Sequence, residues 1–204
     1  MKKSLLVIVV MLVFASGAFA QVPAKPFNIY AGGGLTMPSS PDAFKDGFKM
    51  GFHGTAKLGL KAVPKGEILL NLEYHMFGLD NEDMYGTNVD GGDLSIIMAG
   101  ADYKLNLGVP LAPVNPFIQA GGGLAIISMS DLSYTDPVLG DIDVTTESIN
   151  KIYLEIGGGI EFNKFFASIR IVNIFNGSTE YDVSAMEVKE KSALMIPLTV
   201  GVKF

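Results

Sequence analysis

Two histidines and one carboxylate are the residues best suited to acid–base or metal chemistry: His53, His75 and Glu73. Each lies in a stretch where polar and apolar residues alternate, so all three point to the same side of predicted strands. If residues 63–65 form the intervening turn, His53 lies opposite His75 and Thr55 opposite Glu73. Two interpretations stay open: a metal pair or pH switch, and two enclosed histidines that share hydrogen bonds with Glu73 and Thr55. No third metal ligand is obvious, which favours the hydrogen-bonded pair.

Hydrolytic chemistry would need a serine, a histidine and an acid in one site. Both histidines fall on the predicted inner face of the fold, and no serine is obviously paired with either. The chain has no cysteine, which excludes thiol nucleophiles, thiolate metal sites and disulfides. We therefore predict no catalysis, no metal site and no cofactor.

Glycine runs and acidic stretches are the remaining motifs. The glycine runs are Ala31–Gly34, Ala120–Gly123 and Ile156–Gly159. Nucleotide binding needs such glycines in a loop that opens a helix, whereas these lie within strand patterns and provide space for tight curvature. The acidic stretches 80–83 and 90–93 lack the twelve-residue EF-hand pattern and are predicted as solvated loops.

The elements that must position these residues are strands. In the last segment, Leu194–Phe204, the even positions are apolar up to the terminal phenylalanine, and the odd positions include Thr199 and Lys203. Only a two-residue period separates the faces in this way. A phase change near Asn173 predicts a bulge. The seven other predicted strands are Phe27–Met37, Phe48–Ala62, Ile68–Leu79, Leu94–Leu107, Phe117–Ser130, Ile149–Asn163 and Phe165–Phe175.

The connections between these strands alternate in length. Long ones cover residues 39–47, 80–93, 131–148 and 177–193, with short turns between them. This alternation is typical of an up-and-down barrel in a bilayer, and an eleven-residue strand tilted by ~40° spans roughly 28 Å. We predict an all-β fold, an eight-stranded antiparallel up-and-down transmembrane β-barrel, preceded by a cleavable signal peptide.

The signal peptide is predicted over residues 1–20, and the barrel domain over 21–204. Lys2 and Lys3 form a basic start, an apolar stretch follows, and Ala18-Phe19-Ala20 offers small residues for cleavage between Ala20 and Gln21. Without Lys2 and Lys3 the formal net charge falls from −6 to −8. A charge of this sign argues against nucleic acid as a partner.

Charged residues avoid the predicted lipid face. Of 21 acidic residues, 16 fall in the four long connections. The predicted inner face carries seven bases, Lys49, Lys57, Lys61, Lys104, Lys151, Arg170 and Lys203, with the acids Glu73, Asp102, Glu155 and Glu161. An eight-stranded barrel is just wide enough for side chains to fill it. We predict a polar network that plugs the lumen, made of His53, Lys57, Glu73, His75, Asp102, Lys104, Glu155 and Arg170.

Pro197 supports an alternative. A proline cannot donate to a strand ladder, and a closed barrel has no free edge for it. A bulge or a local gap satisfied by water explains the residue structurally. The functional version is a lateral opening through which a small hydrophobic ligand passes. Its path would be lined by Pro197 and by the inward apolar residues Leu69, Phe77, Ile96, Met98 and Ile127.

The chain resembles the small outer-membrane β-barrel family of Gram-negative bacteria, of the OmpA-barrel, OmpX and OmpW type. The resemblance rests on the leader, the eight alternating strands, the stretch Pro116–Gly121 and the terminal Phe204. It implies an outer-membrane location with periplasmic termini and extracellular long loops. It also implies contact with outer-membrane lipid and lipopolysaccharide, and recognition of Phe204 by the barrel-assembly machinery. The family includes OmpW-like conduits, and lipid-modifying barrel enzymes are disfavoured because no serine accompanies the histidines.

Overall fold

The computed structural model describes residues 27–63, 65–80, 89–108, 113–136, 140–144, 148–182 and 187–204. The predicted signal peptide, with Ala20 and Gln21, lies outside them. One short helix, α1 (Asp42–Lys45), and eleven strands are present in this part of the chain. The strands are β1 (Phe27–Ser40), β2 (Gly51–Val63), β3 (Gly66–Phe77), β4 (Val89–Gly91), β5 (Leu94–Asn106), β6 (Val114–Met129), β7 (Leu132–Asp136), β8 (Gly140–Val144), β9 (Ile149–Phe162), β10 (Phe165–Asp182) and β11 (Glu187–Lys203).

Eight of these strands close into one antiparallel barrel in the order β1-β11-β10-β9-β6-β5-β3-β2. Each pairs with its neighbour along the chain, and β1 closes the barrel against β11, so the predicted up-and-down topology is confirmed. The register of the β2–β3 pair is the one that its turn predicted, and the two-residue turn Asn163-Lys164 joins β9 to β10. His53 lies opposite His75 in the β2–β3 pair, and Arg170 lies opposite Gly157 in the β9–β10 pair.

Three predicted loops, 80–93, 131–148 and 177–193, contain strand residues instead. Within 131–148, β7 and β8 form a hairpin, and β4 adds to β7 to give a three-stranded sheet separate from the barrel. Within 177–193, β10 and β11 continue as a ladder that includes Ser178↔Lys191 and Asp182↔Glu187. These pieces are polar in sequence. A ribbon that leaves the barrel needs no continuous apolar face, so it lacks the alternation that reveals the other strands.

The irregularity predicted near Asn173 is present and lies just beyond it. The β10–β11 register is unchanged through Asn173 and shifts between Ile174 and Ser178. Asn176 lies in this interval with a φ of 51°, a left-handed conformation that asparagine tolerates better than most residues. The irregularity therefore marks where β10 leaves the barrel wall.

Glycines on the inner face let neighbouring strands approach closely. A Cβ on Gly123 would collide with the backbone of Ala99 and Gly100 on β5, and one on Gly121 would meet Ala101 and Asp102. By contrast, an added Cβ on the outward Gly54 meets nothing within 4 Å. The glycine runs thus fit the predicted role in curvature.

The outer wall of the barrel is apolar. Among the described residues, thirty large hydrophobic ones are exposed, including Leu72, Ile156 (62% exposed), Phe165 and Val200 (65% exposed). They come from every barrel strand and follow the even-and-odd alternation of the sequence. In the described part of the chain, no helix is long and apolar enough to cross a membrane.

Candidate functional site: the barrel interior

The eight residues predicted for the lumen network all lie inside the barrel. Each of the eight residues is at most 8% exposed. The strand period places them there, since inward positions of β2, β3, β5, β9 and β10 alternate with the lipid-facing ones. They fall into a central ionic group, a histidine group and one lysine that belongs to a second ionic group.

Arg170 is the centre of the first group. Its Nη1 donates to Glu73 Oε1 at 2.7 Å and its Nη2 donates to Glu73 Oε2 at 2.7 Å, a bidentate arrangement. Nη1 also donates to Glu155 Oε2 at 2.9 Å. Arg170 thus pairs with two carboxylates from different strands at a buried site, where water could not solvate their charges.

Lys57 extends this group across the barrel. Its Nζ lies 3.3 Å from Glu73 Oε1 and 3.3 Å from Asp102 Oδ2. Gln119 Nε2 donates to Glu155 Oε1 at 3.2 Å and lies 3.4 Å from Asp102 Oδ2. Sequence reasoning had missed Gln119, although its inward position on β6 and its amide donors could have indicated it.

Lys104 belongs to a separate group near the turn end of the barrel. Its Nζ lies 3.2 Å from Glu67 Oε2, donates to the Tyr30 hydroxyl at 2.8 Å, and pairs closely with Glu161. Tyr30 in turn donates to Glu67 Oε2 at 2.7 Å, and Lys203 forms a further close pair with Glu161. Glu67 was missed because β3 begins at Gly66, two residues before the predicted start, yet it carries half of this group's negative charge.

The two histidines stack with ring centroids 5.0 Å apart. The Thr36 hydroxyl lies 2.9 Å from Nδ1 of both rings, so it can donate to one and accept from the other. His53 Nε2 is 2.9 Å from Thr199 Oγ1, and His75 Nε2 is 3.3 Å from Glu73 Oε2. The histidines are thus hydrogen-bonded, but to Thr36 and Thr199. The predicted partner Thr55 donates to Glu73 Oε1 at 3.2 Å instead, and His75 Nε2 makes no hydrogen bond to Glu73.

The metal interpretation of the histidines requires a third ligand beside them. Among the described residues no group of three or more potential ligands could hold a metal ion. The threonine partners, Thr36 and Thr199, come from β1 and β11, which meet only on barrel closure. The sequence of the β2–β3 hairpin alone therefore could not predict that these threonines bond to the histidines.

An apolar layer fills the barrel on the loop side of the histidines. Its buried members pack as one cluster: Phe44, Phe77, Leu94, Ile96, Met98, Ala125, Ile127, Tyr153, Val172, Ile174, Ala193 and Met195. Phe44 comes from α1 and packs edge-on against Phe77 with ring centroids 5.6 Å apart. Helix α1, within a segment predicted as a polar link, therefore covers the loop end of the lumen.

The residues predicted to line a hydrophobic path are packed against one another instead. Phe77, Ile96, Met98 and Ile127 belong to the apolar layer. Leu69 was placed at the loop side, and this is wrong: it clusters with Tyr30 and Phe166 at the other end of the barrel. Inside the barrel near the turn end, a cavity of about 10 Å³ is lined by Tyr30, Lys57, Leu69, Lys104, Phe117, Gln119, Glu161, Phe166, Ser168 and Thr199, which is room for about one water molecule.

Pro197 points inward and opposes Thr36 of β1. On its other side, paired positions run to Ile169↔Leu198 and resume at Val172↔Met195 without a change of register. The barrel wall therefore has a gap of two residues in one ladder and no bulge at Pro197. Two lysines predicted for the inner face, Lys49 and Lys61, are exposed at the two ends of the barrel. Lys49 precedes β2, so its placement inside was wrong, whereas Lys61 stays on the inner face opposite Glu67.

Known proteins resemble this chain in fold alone. No family model matches the chain, and no curated protein sequence matches it. The solved structure of Neisserial surface protein A is similar at 19% identity and a TM-score of 0.47, over 90% of this chain and 100% of that one. A major outer membrane protein from Thermus thermophilus has 12% identity and a TM-score of 0.49, over 88% of this chain and 100% of that one.

A third similar structure is the N-terminal β-barrel domain of Pseudomonas aeruginosa OprF, at 16% identity and a TM-score of 0.42, over 87% of this chain and 97% of that one. The chain is thus similar to small outer-membrane β-barrels.

Proposed function

We propose that this chain is an integral outer-membrane β-barrel with a sealed interior, which has a structural and surface-interaction role and no catalytic activity. The observation that carries the proposal is the reversal of polarity between wall and interior. Val200 and Ile156 are more than 60% exposed on the wall, while Arg170 and Glu73 are 1% exposed inside.

A protein dissolved in water would be destabilised by this arrangement. Its exposed apolar wall would remain in contact with water, and its buried charges would have lost their hydration. In a bilayer the wall meets hydrocarbon, and closure of the barrel pairs the backbone groups of neighbouring strands with one another, apart from the two-residue gap at Pro197. The membrane therefore explains both halves of the pattern.

Two successive barriers support a sealed lumen. The central ionic group holds Arg170 and Lys57 against Glu73, Glu155 and Asp102, and the apolar layer with Phe44 lies between this group and the loop end. An ion would have to break the pairs and then cross a stretch without polar partners. An OmpW-like conduit is not favoured, because the residues of its proposed path are packed together.

The proposal also covers the orientation of the barrel in the membrane and its assembly. We place the termini and the tight turns in the periplasm, and the long connections with the β4-β7-β8 sheet outside the cell, next to lipopolysaccharide. Phe204 is the proposed signal for the barrel-assembly machinery. Its backbone amide donates to Ile29 O at 2.9 Å, so the last residue joins β11 to β1 at the closure of the barrel.

The test is made on the chain expressed with its own leader. We expect it to fractionate with the outer membrane, to migrate differently on gels before and after boiling, and to give no large stable currents in planar bilayers. A chain that remains in buffer without detergent would contradict the membrane location. Large stable currents would contradict the sealed interior alone.

A further inference from the structure

Exposed cations collect at the turn end of the barrel. Lys61 and Lys65 flank the β2–β3 turn, and Lys164 occupies the β9–β10 turn, all three with exposed side chains. We call these three residues the basic rim. No ion pair of a rim lysine is present among the residues that the structure describes.

The two acids at this end are paired with other cations, although Glu67 is the cross-strand partner of Lys61. Glu67 and Glu161 are 3% and 5% exposed and are occupied by Lys104 and, for Glu161, also by Lys203. The remaining turn, between β5 and β6, has no charged residue between Leu107 and Val114. The exposed side-chain charge at the turn end is therefore positive throughout the described residues.

The basic rim lies at the border of the apolar wall. Lys164 sits in a tight turn next to Phe162 and Phe165, which are both more than half exposed. Its carbonyl accepts a hydrogen bond from the Lys203 amide at 2.6 Å, which ties the turn to the end of β11. Following the barrel order from β10 through β11, β1 and β2, the same border reaches Lys61 and Lys65.

The loop end has the opposite character. Lys49 lies 3.5 Å from Asp80, and Lys45 lies 4.0 Å from Asp46, so the cations there stand beside acids. Most acids of the chain also fall in the long connections at this end. The unpaired lysines of the basic rim therefore differ from Lys45 and Lys49 at the loop end, which lie beside acids.

We propose that the basic rim binds the phosphate groups of anionic phospholipids in the leaflet at the turn end. This inference rests on the proposed membrane location. A long lysine side chain at the edge of an apolar wall can extend its ammonium group to the headgroup level while its stem stays in contact with the wall. The attraction of each such lysine to an anionic surface corresponds to roughly a fivefold change in a binding constant.

The experiment compares two variants with equal loss of charge. The full chain is incorporated into nanodiscs of phosphatidylcholine with a minority of phosphatidylglycerol. Lipids that stay with the protein on detergent extraction are then quantified by mass spectrometry. The rim variant is K61Q/K65Q/K164Q, and the matched control at the loop end is K45Q/K49Q/K191Q. Because all six residues are exposed, both variants are expected to keep the gel shift of the folded barrel.

We expect phosphatidylglycerol to be enriched severalfold over the bulk ratio with the wild-type chain and the loop-end control. The enrichment should fall to the bulk ratio with the rim variant, and it should weaken with added salt because exposed charges are screened. Equal enrichment in all three proteins, or an equal decrease in both variants, would overturn the inference. If a soluble polyglutamate probe binds through the rim in pure phosphatidylcholine discs while lipid enrichment is unchanged, an acidic macromolecule and not lipid is the partner, and the inference is again overturned. Failure of the wild-type chain to enter the discs would contradict the proposed membrane location itself.

Discussion

At the scale of single residues, Arg170 is the cation that allows two carboxylates to be buried inside the barrel. Glu73 and Glu155 approach the same guanidinium from β3 and β9 and are almost without solvent contact. Two such carboxylates without their cation would repel each other in a medium that cannot solvate them. The partners of Arg170 were partly predictable, because the β9–β10 turn places Glu155 diagonally across from it, whereas Glu73 is 97 residues away and is brought close only by barrel closure.

Replacement of Arg170 by methionine should therefore lower the free energy of unfolding by about 3–5 kcal/mol, the usual effect of leaving a buried charge without its partner. Urea unfolding in lipid vesicles measures it. The triple variant R170M/E73Q/E155Q removes the stranded charges and should recover most of the loss. A single variant as stable as the wild type would show that these contacts do not form.

The hydroxyl of Thr36 serves both histidines and gives a second test at this scale. T36V keeps the shape of the side chain but leaves two buried ring nitrogens without their partner, which should destabilise the barrel by about 1–3 kcal/mol. T36S retains the hydroxyl and is the control, expected to stay near the wild type. Equal stability of T36V and T36S would contradict the shared hydrogen bond.

At the scale of elements, the strands inside the membrane were predictable and those beyond it were not. The segments 48–62 and 149–163 show strict alternation, because one face must be apolar and the other must fit a polar interior. This need for one apolar and one polar face does not apply outside the membrane-spanning wall. It is therefore missing from the β10–β11 ribbon beyond Ile174, from the β4-β7-β8 sheet and from α1. Phe44 stood out as the one aromatic in a polar link, but its place over the lumen depends on how the chain folds back.

Close approach of strands makes the glycine runs sensitive to a single methyl group. G123A would press a Cβ into the backbone of β5 and should lower stability by about 1–3 kcal/mol, as overpacking does. The same change at Gly54, which faces outward into open space, should leave stability unchanged or slightly higher. Refolding into vesicles and urea titration compare the two. Tolerance of both would rule out the close approach of β5 and β6.

Helix α1 offers a test of the layered interior. F44A removes the cover of the apolar layer and should lower the free energy of unfolding by about 3 kcal/mol, at the lower end for a buried phenylalanine. Because Phe77, Ile96 and Met98 still fill the lumen below it, we expect no ion conductance from the variant in planar bilayers. Stable currents from F44A would place the barrier at the helix and not in the layer beneath it.

At the scale of the whole molecule, the barrel has its apolar surface outside and its charges inside. Sequence alone indicated this, since no charged residue falls on the predicted lipid face of any strand. The sequence predicts which interior polar side chains meet only for hairpin neighbours such as His53 and His75. Contacts that cross the lumen, such as Lys57 with Asp102, depend on the tilt and stagger of all eight strands together.

The most direct test of this inverted polarity uses the absence of native cysteine in the chain. Spin labels on single variants L198C, T199C, V200C and V202C, in barrels reconstituted into vesicles, report access to oxygen, which dissolves in hydrocarbon, and to a water-soluble nickel complex. The account predicts high oxygen access at positions 198, 200 and 202, low access to both reagents at 199, and no nickel access at 200. High nickel access at 200, or loss of the alternation along β11, would contradict it.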